Sequence, residues 1–222
     1  MITAIIAYKQ DSSERKNNLN FLIKVLKKNS IKVIIAEQKQ SLKNKEEVKK
    51  YRKPDEIWIE YYSNSPFHKS KLYNLSAEIC VTENILFIDC DVILNFEKLN
   101  DLCKLSDLCK PFSEIFSLSK EESIDFMNSG SLPDLSKKTG DKYIGKYSIL
   151  ISWDLFVTSG GFDQNIAGWG WEDLDFIHNK LNGYSSYEPI DCEGFHLWHP
   201  PADKNFERKN YFIYKNNNTP RK

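Results

Sequence analysis

The chain has 222 residues, with 31 basic and 31 acidic side chains and a formal net charge of zero. That length suits one domain with a sizeable core, and 41% hydrophobic with 13% aromatic residues excludes a disordered or fibrous chain. The charge balance argues against a protein built to neutralise a nucleic-acid backbone, and no apolar run approaches the ~20 residues that span a bilayer.

Residues 1–8 carry no basic leader and no small-residue cleavage site, and read as a buried strand over 3–8. A polar turn leads to the helical spacing of Leu19, Leu22, Ile23 and Leu26, and residues 31–36 form a second, β-branched run. Residues 39–56 are rich in lysine and glutamate, with Lys43, Lys45, Lys49, Lys50, Arg52 and Lys53 in close succession. They read as a solvated helix face or an insertion. Residues 57–62 alternate as a third strand would, and 69–82 keep a helical period through Leu72, Leu75, Ala77 and Ile79. Residues 85–88 are continuously apolar, as in a strand buried on both faces. Strand and helix patterns alternating in this way predict an α/β fold whose central, mostly parallel sheet is flanked by helices.

The second half is more broken. Residues 95–140 show no clear period and are interrupted by Pro111, Gly130, Pro133 and Gly140. Residues 147–153 read as a strand, 154–159 as a short helix stopped by Gly160 and Gly161, and 172–181 as a helix stopped by Asn182 and Gly183. Residues 205–222 interleave aromatic and basic side chains and read as a tail that frays at its end. The five cysteines, Cys80, Cys90, Cys103, Cys109 and Cys192, are odd in number and form no CxxC pair, as expected of reduced thiols in a cytoplasmic protein.

Three constellations carry chemistry. Asp89-Cys90-Asp91 follows the buried strand directly, and residues i and i+2 of an extended chain point to one side. Two carboxylates so placed repel unless a cation or hydrogen-bond donors sit between them. A divalent metal holding a phosphate is the natural occupant; the alternative is that the acids cap a helix or open a turn. Gly160-Gly161-Phe162-Asp163 and Gly168-Trp169-Gly170-Trp171-Glu172-Asp173-Leu174-Asp175 combine glycines, indoles and acids. Such a segment suits a sugar stacked on a flat apolar wall beside an acid–base group, or else an aromatic core patch before an acid-rich helix start. His196-Leu197-Trp198-His199-Pro200 holds two of the four histidines, which serve either as metal ligands or as a surface or core pair.

Taken in order, these segments resemble the GT-A glycosyltransferases, especially the β-1,4-galactosyltransferase-like group and related bacterial family 2 enzymes. The resemblance runs from Ile5 to about Pro200 and also covers Phe67-His68-Lys69-Ser70-Lys71-Leu72-Tyr73-Asn74. It implies a Rossmann-like nucleotide-diphospho-sugar transferase fold as one catalytic domain over 1–222, with a nucleotide-sugar half at 1–95, an acceptor half at 96–204 and a tail at 205–222. Asp91 would bind manganese, or magnesium in its place, with Asp89 on the metal or the donor ribose. His196 would be the further metal ligand and His199 the secondary candidate. Asp173 would be the general base, Glu172 would hold acceptor or donor hydroxyls, and Trp169 and Trp171 would shape the donor-sugar and acceptor pockets. Ala7, Tyr8, Arg15, Glu37 and Lys69 would lie near the nucleotide.

The resemblance thus implies metal-dependent, inverting transfer of galactose, N-acetylgalactosamine or glucose from a UDP-sugar to a hydroxyl of a glycan or glycoconjugate. The expected setting is a bacterial or viral cytoplasm or its membrane surface, with no nucleic-acid partner. The sequence departs from the galactosyltransferases in three places. The first strand ends Ala-Tyr-Lys rather than proline, aromatic, arginine; about two dozen residues are added around 39–66; and Glu172 follows Trp171 without a further glycine. Retaining polypeptide N-acetylgalactosaminyltransferases share much of the layout but place an amide where Asp173 stands. A non-catalytic carbohydrate-binding domain explains the tryptophans and not the strand-end acids. A nucleotidyltransferase should have a glycine-rich loop where Lys9–Lys16 has none, and a zinc hydrolase an HExxH helix.

Overall fold

The structure, a computed structural model, describes residues 1–53, 55–102, 106–131, 134–136, 138–142, 148–181 and 192–218. In chain order the elements are β1 (Ile2–Tyr8), α1 (Ser13–Lys28), β2 (Lys32–Lys39), β3 (Glu47–Lys53), β4 (Glu56–Tyr62), α2 (Lys69–Ala77), β5 (Asn84–Ile88) and β6 (Val92–Ile93). A 3₁₀ turn at Phe96–Lys98 leads into α3 (Leu99–Leu102), β7 (Leu108–Cys109), β8 (Glu114–Ser117) and α4 (Lys120–Ser129). Then come β9 (Ser148–Ser152), α5 (Trp153–Thr158), α6 (Glu172–Asp175) with a π-helical turn at Phe176–Lys180, β10 (Glu193–His196) and α7 (Glu207–Asn217).

Seven strands form one sheet in the order β3-β4-β2-β1-β5-β9-β7. Its centre, β4-β2-β1-β5, is parallel, and β3, β9 and β7 add antiparallel edges. β1 shows why the centre is continuously apolar. All seven of its residues are buried, with Ala4, Ile6 and Tyr8 packing on the α1 and α4 side and Ile5 and Ala7 on the α2 and α5 side. α1 starts where the Ser12 side chain accepts the Arg15 amide at 3.2 Å, and it buries Leu19, Leu22, Ile23 and Leu26. α4 carries a reciprocal Ser119–Glu122 capping box and ends at Gly130 in a left-handed conformation.

The lysine-rich segment is not a helix. β3 is exposed at every position and pairs antiparallel with β4 in a register opposing Lys49 to Glu60, Tyr51 to Trp58 and Lys53 to Glu56. The period-two alternation of Lys49, Tyr51 and Lys53 sets them over the aromatic face of β4. Tyr51 stacks on Trp58, and the Lys53 and Lys49 ammonium groups lie 4.1 and 4.7 Å from the Trp58 and Tyr62 rings. In the C-terminal segment α7 packs back against the second half of the chain through the fully buried Asn210; residues 219–222, where the end of the expected tail falls, lie outside the described residues. The expected helix stop at Asn182 and Gly183, the break at Pro133, Cys103 and the first residue of the 147–153 strand lie outside the described residues. None of the four described cysteines is in a disulfide, and no described helix is long and apolar enough to cross a membrane.

A second sheet, β6-β10-β8, sits beyond the end of β5. It pairs His196 with Val92, one residue past Asp91, and the Leu197 amide donates to the Asp91 carbonyl at 2.7 Å. Strand pairing thereby brings the histidine segment to the acids that leave β5.

Candidate active site

The site lies at the carboxyl ends of β1 and β5, where open α/β sheets bind ligands. Two clusters meet there. In the first, Asp91 is 2% exposed; its Oδ1 is 3.5 Å from His196 Nε2 and its Oδ2 is 3.2 Å from His199 Nε2. Arg15 lies 3.7 Å from Asp91 and 3.1 Å from His199 Nδ1. His199 Nδ1 is also 2.7 Å from the Pro200 carbonyl. Trp198, which precedes His199, is tied down at both ends, since its amide donates to Ser123 Oγ and Asn18 donates to its carbonyl. Burial works to raise the Asp91 carboxyl, but the His196 hydrogen bond and the charges of His196, His199 and Arg15 outweigh it and hold the group well below the carboxylate range. Burial likewise disfavours charge on His196, and Asp91 more than offsets it, raising that imidazole.

Asp91, His196 and His199 each offer a ligand atom, all within 4.8 Å of one another. One carboxylate and two imidazoles form a donor set suited to manganese, iron or zinc, and less to magnesium, which prefers oxygen. Among the described residues this group is the candidate cation site. Asp89 lies outside it.

Asp89 belongs to the second cluster, centred on Lys69, the first residue of α2. Lys69 Nζ is 2.8 Å from Asp89, 3.0 Å from Glu172 and 3.1 Å from Asp173. The Tyr73 hydroxyl, one turn along α2, donates to Asp89 at 3.4 Å. One ammonium faces three carboxylates, which leaves the cluster rich in negative charge. Burial first, then the charges of Glu172 and Asp89, raises Asp173 well above its ordinary range against the pull of Lys69. Lys69 is itself raised, because Asp173 and Asp89 outweigh the burial that opposes its charge. Glu172 Oε2 is buried without a hydrogen-bond partner among the described residues.

The loop before these acids is held by three devices. Gly168 donates to the Phe67 carbonyl at 2.8 Å, and its positive φ lets it pass where a Cβ would fall 2.7 Å from Phe206. Asn210 Nδ2 on α7 lies 3.1, 3.2 and 3.2 Å from the carbonyls of Ala167, Trp169 and Gly170. Trp171 has φ 76, a left-handed conformation that costs a bulky residue about 1–3 kcal/mol. Its ring rests on Tyr211 and Tyr214 of α7, at centroid distances of 4.9 and 5.1 Å. Trp169 is 40% exposed beneath the Lys204 ammonium.

The remaining candidates lie at the ends of β1 and β2. Ala7 and Tyr8 end β1, and Glu37 pairs with Tyr8 across β2. The buried Tyr8 hydroxyl has no partner among the described residues, and burial, then Cys90 and the carboxylates of Glu37 and Asp11, raise its pKa strongly. The structure thus brings Asp89, Lys69, Glu172 and Asp173 into one group and Asp91, His196, His199 and Arg15 into another. Sequence reasoning missed Asn210 and Asp175, the latter buried and accepting from Asn179 and Asn217. A buried polar side chain in an otherwise polar helix leaves no periodic signal.

No family model matches the sequence. The human chondroitin sulfate N-acetylgalactosaminyltransferase 1 is 28% identical over 148 residues, 61% of this chain, and the match spans only 28% of that protein's length. The catalytic domain of Drosophila β-1,4-galactosyltransferase 7, solved with xylobiose, superimposes with a TM-score of 0.59 at 13% identity, covering 95% of this chain and 79% of that one. GalNAc-T7, solved with UDP, GalNAc and Mn²⁺, gives a TM-score of 0.61 at 10% identity over 97% of this chain and 47% of that one. The chain has the GT-A fold of these transferases.

Proposed function

We propose that this protein is a metal-dependent glycosyltransferase that moves a hexose from a UDP-sugar to a hydroxyl of a glycan or glycoconjugate, with inversion at the anomeric carbon. The observation that carries the reading is the meeting of the Asp91–His196–His199 group with the Lys69–Asp89–Glu172–Asp173 group at the carboxyl ends of β1 and β5, on a GT-A fold. The ligands in the solved relatives support it: xylobiose in one, UDP, GalNAc and Mn²⁺ in the other.

Asp91, His196 and His199 would hold the divalent ion, which when bound supplies a Lewis acid for a departing diphosphate. Tyr8, Arg15 and Glu37 border the nucleotide side. Asp89 is free to take a ribose hydroxyl once Lys69 is drawn away by a donor's phosphates. Asp173 accepts the proton of the acceptor hydroxyl while that oxygen forms its bond to the anomeric carbon and the bond from that carbon to the diphosphate breaks. General-base assistance of this kind contributes ~10²–10⁴-fold. Glu172, beside Asp173, orients the acceptor hydroxyl. A single displacement needs only one base on the acceptor side, which Asp173 provides.

Calorimetric titration of UDP and a panel of UDP-sugars, with and without manganese, tests the reading. Manganese-dependent binding with one sugar preferred is the expected result. Asp173→Asn should then abolish transfer and spare donor binding. No binding with or without manganese would return the non-catalytic carbohydrate-binding alternative to the front.

A further inference from the structure

The turn that joins β2 to β3, residues 40–46, is fixed by hydrogen bonds. Ser41 Oγ accepts from the Lys45 amide at 3.2 Å and donates to the Lys45 carbonyl at 2.7 Å. Asn64 accepts from the Ser41 amide at 3.0 Å and donates to the Ser41 carbonyl at 3.1 Å and to Asn44 Oδ1 at 2.7 Å. Asn44 takes the left-handed conformation, with φ 51, that a tight turn asks of it. None of these bonds involves Leu42, yet the turn holds Leu42 95% exposed, the most exposed of the large apolar residues described. The charge beside it is one-sided. Residues 43–53 carry six cations and two acids in a chain of zero net charge. Glu46 is engaged by Lys71 at 2.8 Å, whereas Lys43, Lys45 and Lys50 meet no carboxylate among the described residues.

We propose that this turn docks the protein on an anionic lipid bilayer, with Leu42 entering the headgroup region and Lys43 and Lys45, followed by Lys49 and Lys50, meeting the lipid phosphates. A single exposed leucine needs no explanation by itself. One that is fixed in place among unneutralised lysines supplies both parts of an interfacial anchor, an apolar side chain for the acyl boundary and cations for the headgroups. A soluble polyanion would use the lysines alone, so the leucine favours the bilayer. Each cation near an anionic surface strengthens attachment by about fivefold, which gives reversible, salt-sensitive association and not insertion. The turn leaves β2 at its carboxyl end, and β2 runs parallel to β1. Docking therefore turns toward the bilayer the end of the sheet that carries the candidate active site. On the glycosyltransferase reading the acceptor is then a glycan borne by the membrane; the docking itself does not depend on that reading.

The test is sedimentation of the full chain with vesicles of phosphatidylcholine alone and of phosphatidylcholine mixed with phosphatidylglycerol. The mixed vesicles should bind at least about tenfold more tightly, and high salt should release the protein. Leu42→Ser should weaken that binding by roughly tenfold with an unchanged melting temperature, because the side chain packs on nothing. The double variant Lys43→Glu, Lys45→Glu should abolish the preference for mixed vesicles. Glycerol phosphate should not displace the protein; displacement would mean a site for free phosphate and overturn the proposal. Heparin binding that Leu42→Ser leaves intact, without a preference for mixed vesicles, would assign the lysines to a soluble polyanion and overturn it as well. So would wild-type protein that binds neither vesicle or both equally, and vesicle binding that survives both sets of substitutions. UDP titration of the same samples keeps the two readings apart: its failure sinks the transferase and leaves a vesicle result standing.

Discussion

His199 Nε2 lies 3.2 Å from Asp91 Oδ2, closer than the 3.5 Å that separates His196 Nε2 from Asp91 Oδ1. The two rings stand nearly perpendicular, with centroids 5.1 Å apart, so both present a nitrogen to one carboxylate. The resemblance favours His196 as the ligand, whereas the geometry gives the two equal claims. Losing even an outer partner of a metal ligand typically costs roughly 10–100-fold in affinity. Alanine at either position should therefore weaken manganese-dependent UDP binding by at least about 100-fold. Titration of manganese against each variant in the presence of UDP checks this. Near-native binding by one variant would remove that histidine from the ligand set.

Lys69 is the only cation in contact with Asp89, Glu172 and Asp173 among the described residues. Replacing it with methionine leaves three carboxylates facing one another in a poorly solvated cleft. Removing one partner of a buried ion pair is strongly destabilising, and a cost of roughly 3 kcal/mol is expected here. Lys69→Arg keeps the charge and should recover most of the loss. Urea denaturation of the two variants measures the difference; equal stability would mean the acids do not depend on the ammonium.

The proposed transfer should depend on pH through the same cluster. In the proposed mechanism only ionised Asp173 accepts the proton, so kcat/KM should fall as pH drops through its pKa. Burial and its acidic neighbours raise that pKa, so the fall begins above the range of an ordinary aspartate near about 3.9. Glu172→Gln removes one like charge and should move the acid limb to lower pH. Lys69→Met removes the opposing charge and should move it higher. Limbs that stay put in both variants would mean another group is the base.

The sequence exposes those parts of the fold whose burial is periodic. β1 and β5 are apolar at nearly every position because both faces are covered, and α1 repeats its buried residues at helical spacing. β6, β8 and β10 are two to four residues long, too short to show a period. β3 hides behind its lysines because its stability comes from rings on the neighbouring strand. The acids and histidines of the site are visible as types and order. Their grouping is not, since Lys69 meets Asp173 across 104 residues and Arg15 meets His199 across 184.

Asn210 is the clearest instance of a determinant that no pattern reveals. It is fully buried on a helix whose other side chains are at most partly covered, and its amide faces the carbonyls of Ala167, Trp169 and Gly170. Those carbonyls belong to the loop that ends at Glu172 and Asp173. Asn210→Ala leaves them without their donor, at a cost of roughly 1–3 kcal/mol, and frees the loop to sample other conformations. Asn210→Asp should be worse, because a carboxylate would face three carbonyl oxygens with nothing to donate. Both variants should lower kcat more than they lower affinity for UDP and manganese, since Asp91, His196 and His199 are carried by other elements. Measuring kcat beside donor affinity separates this positioning role from general destabilisation. Equal losses in both would assign Asn210 to stability alone.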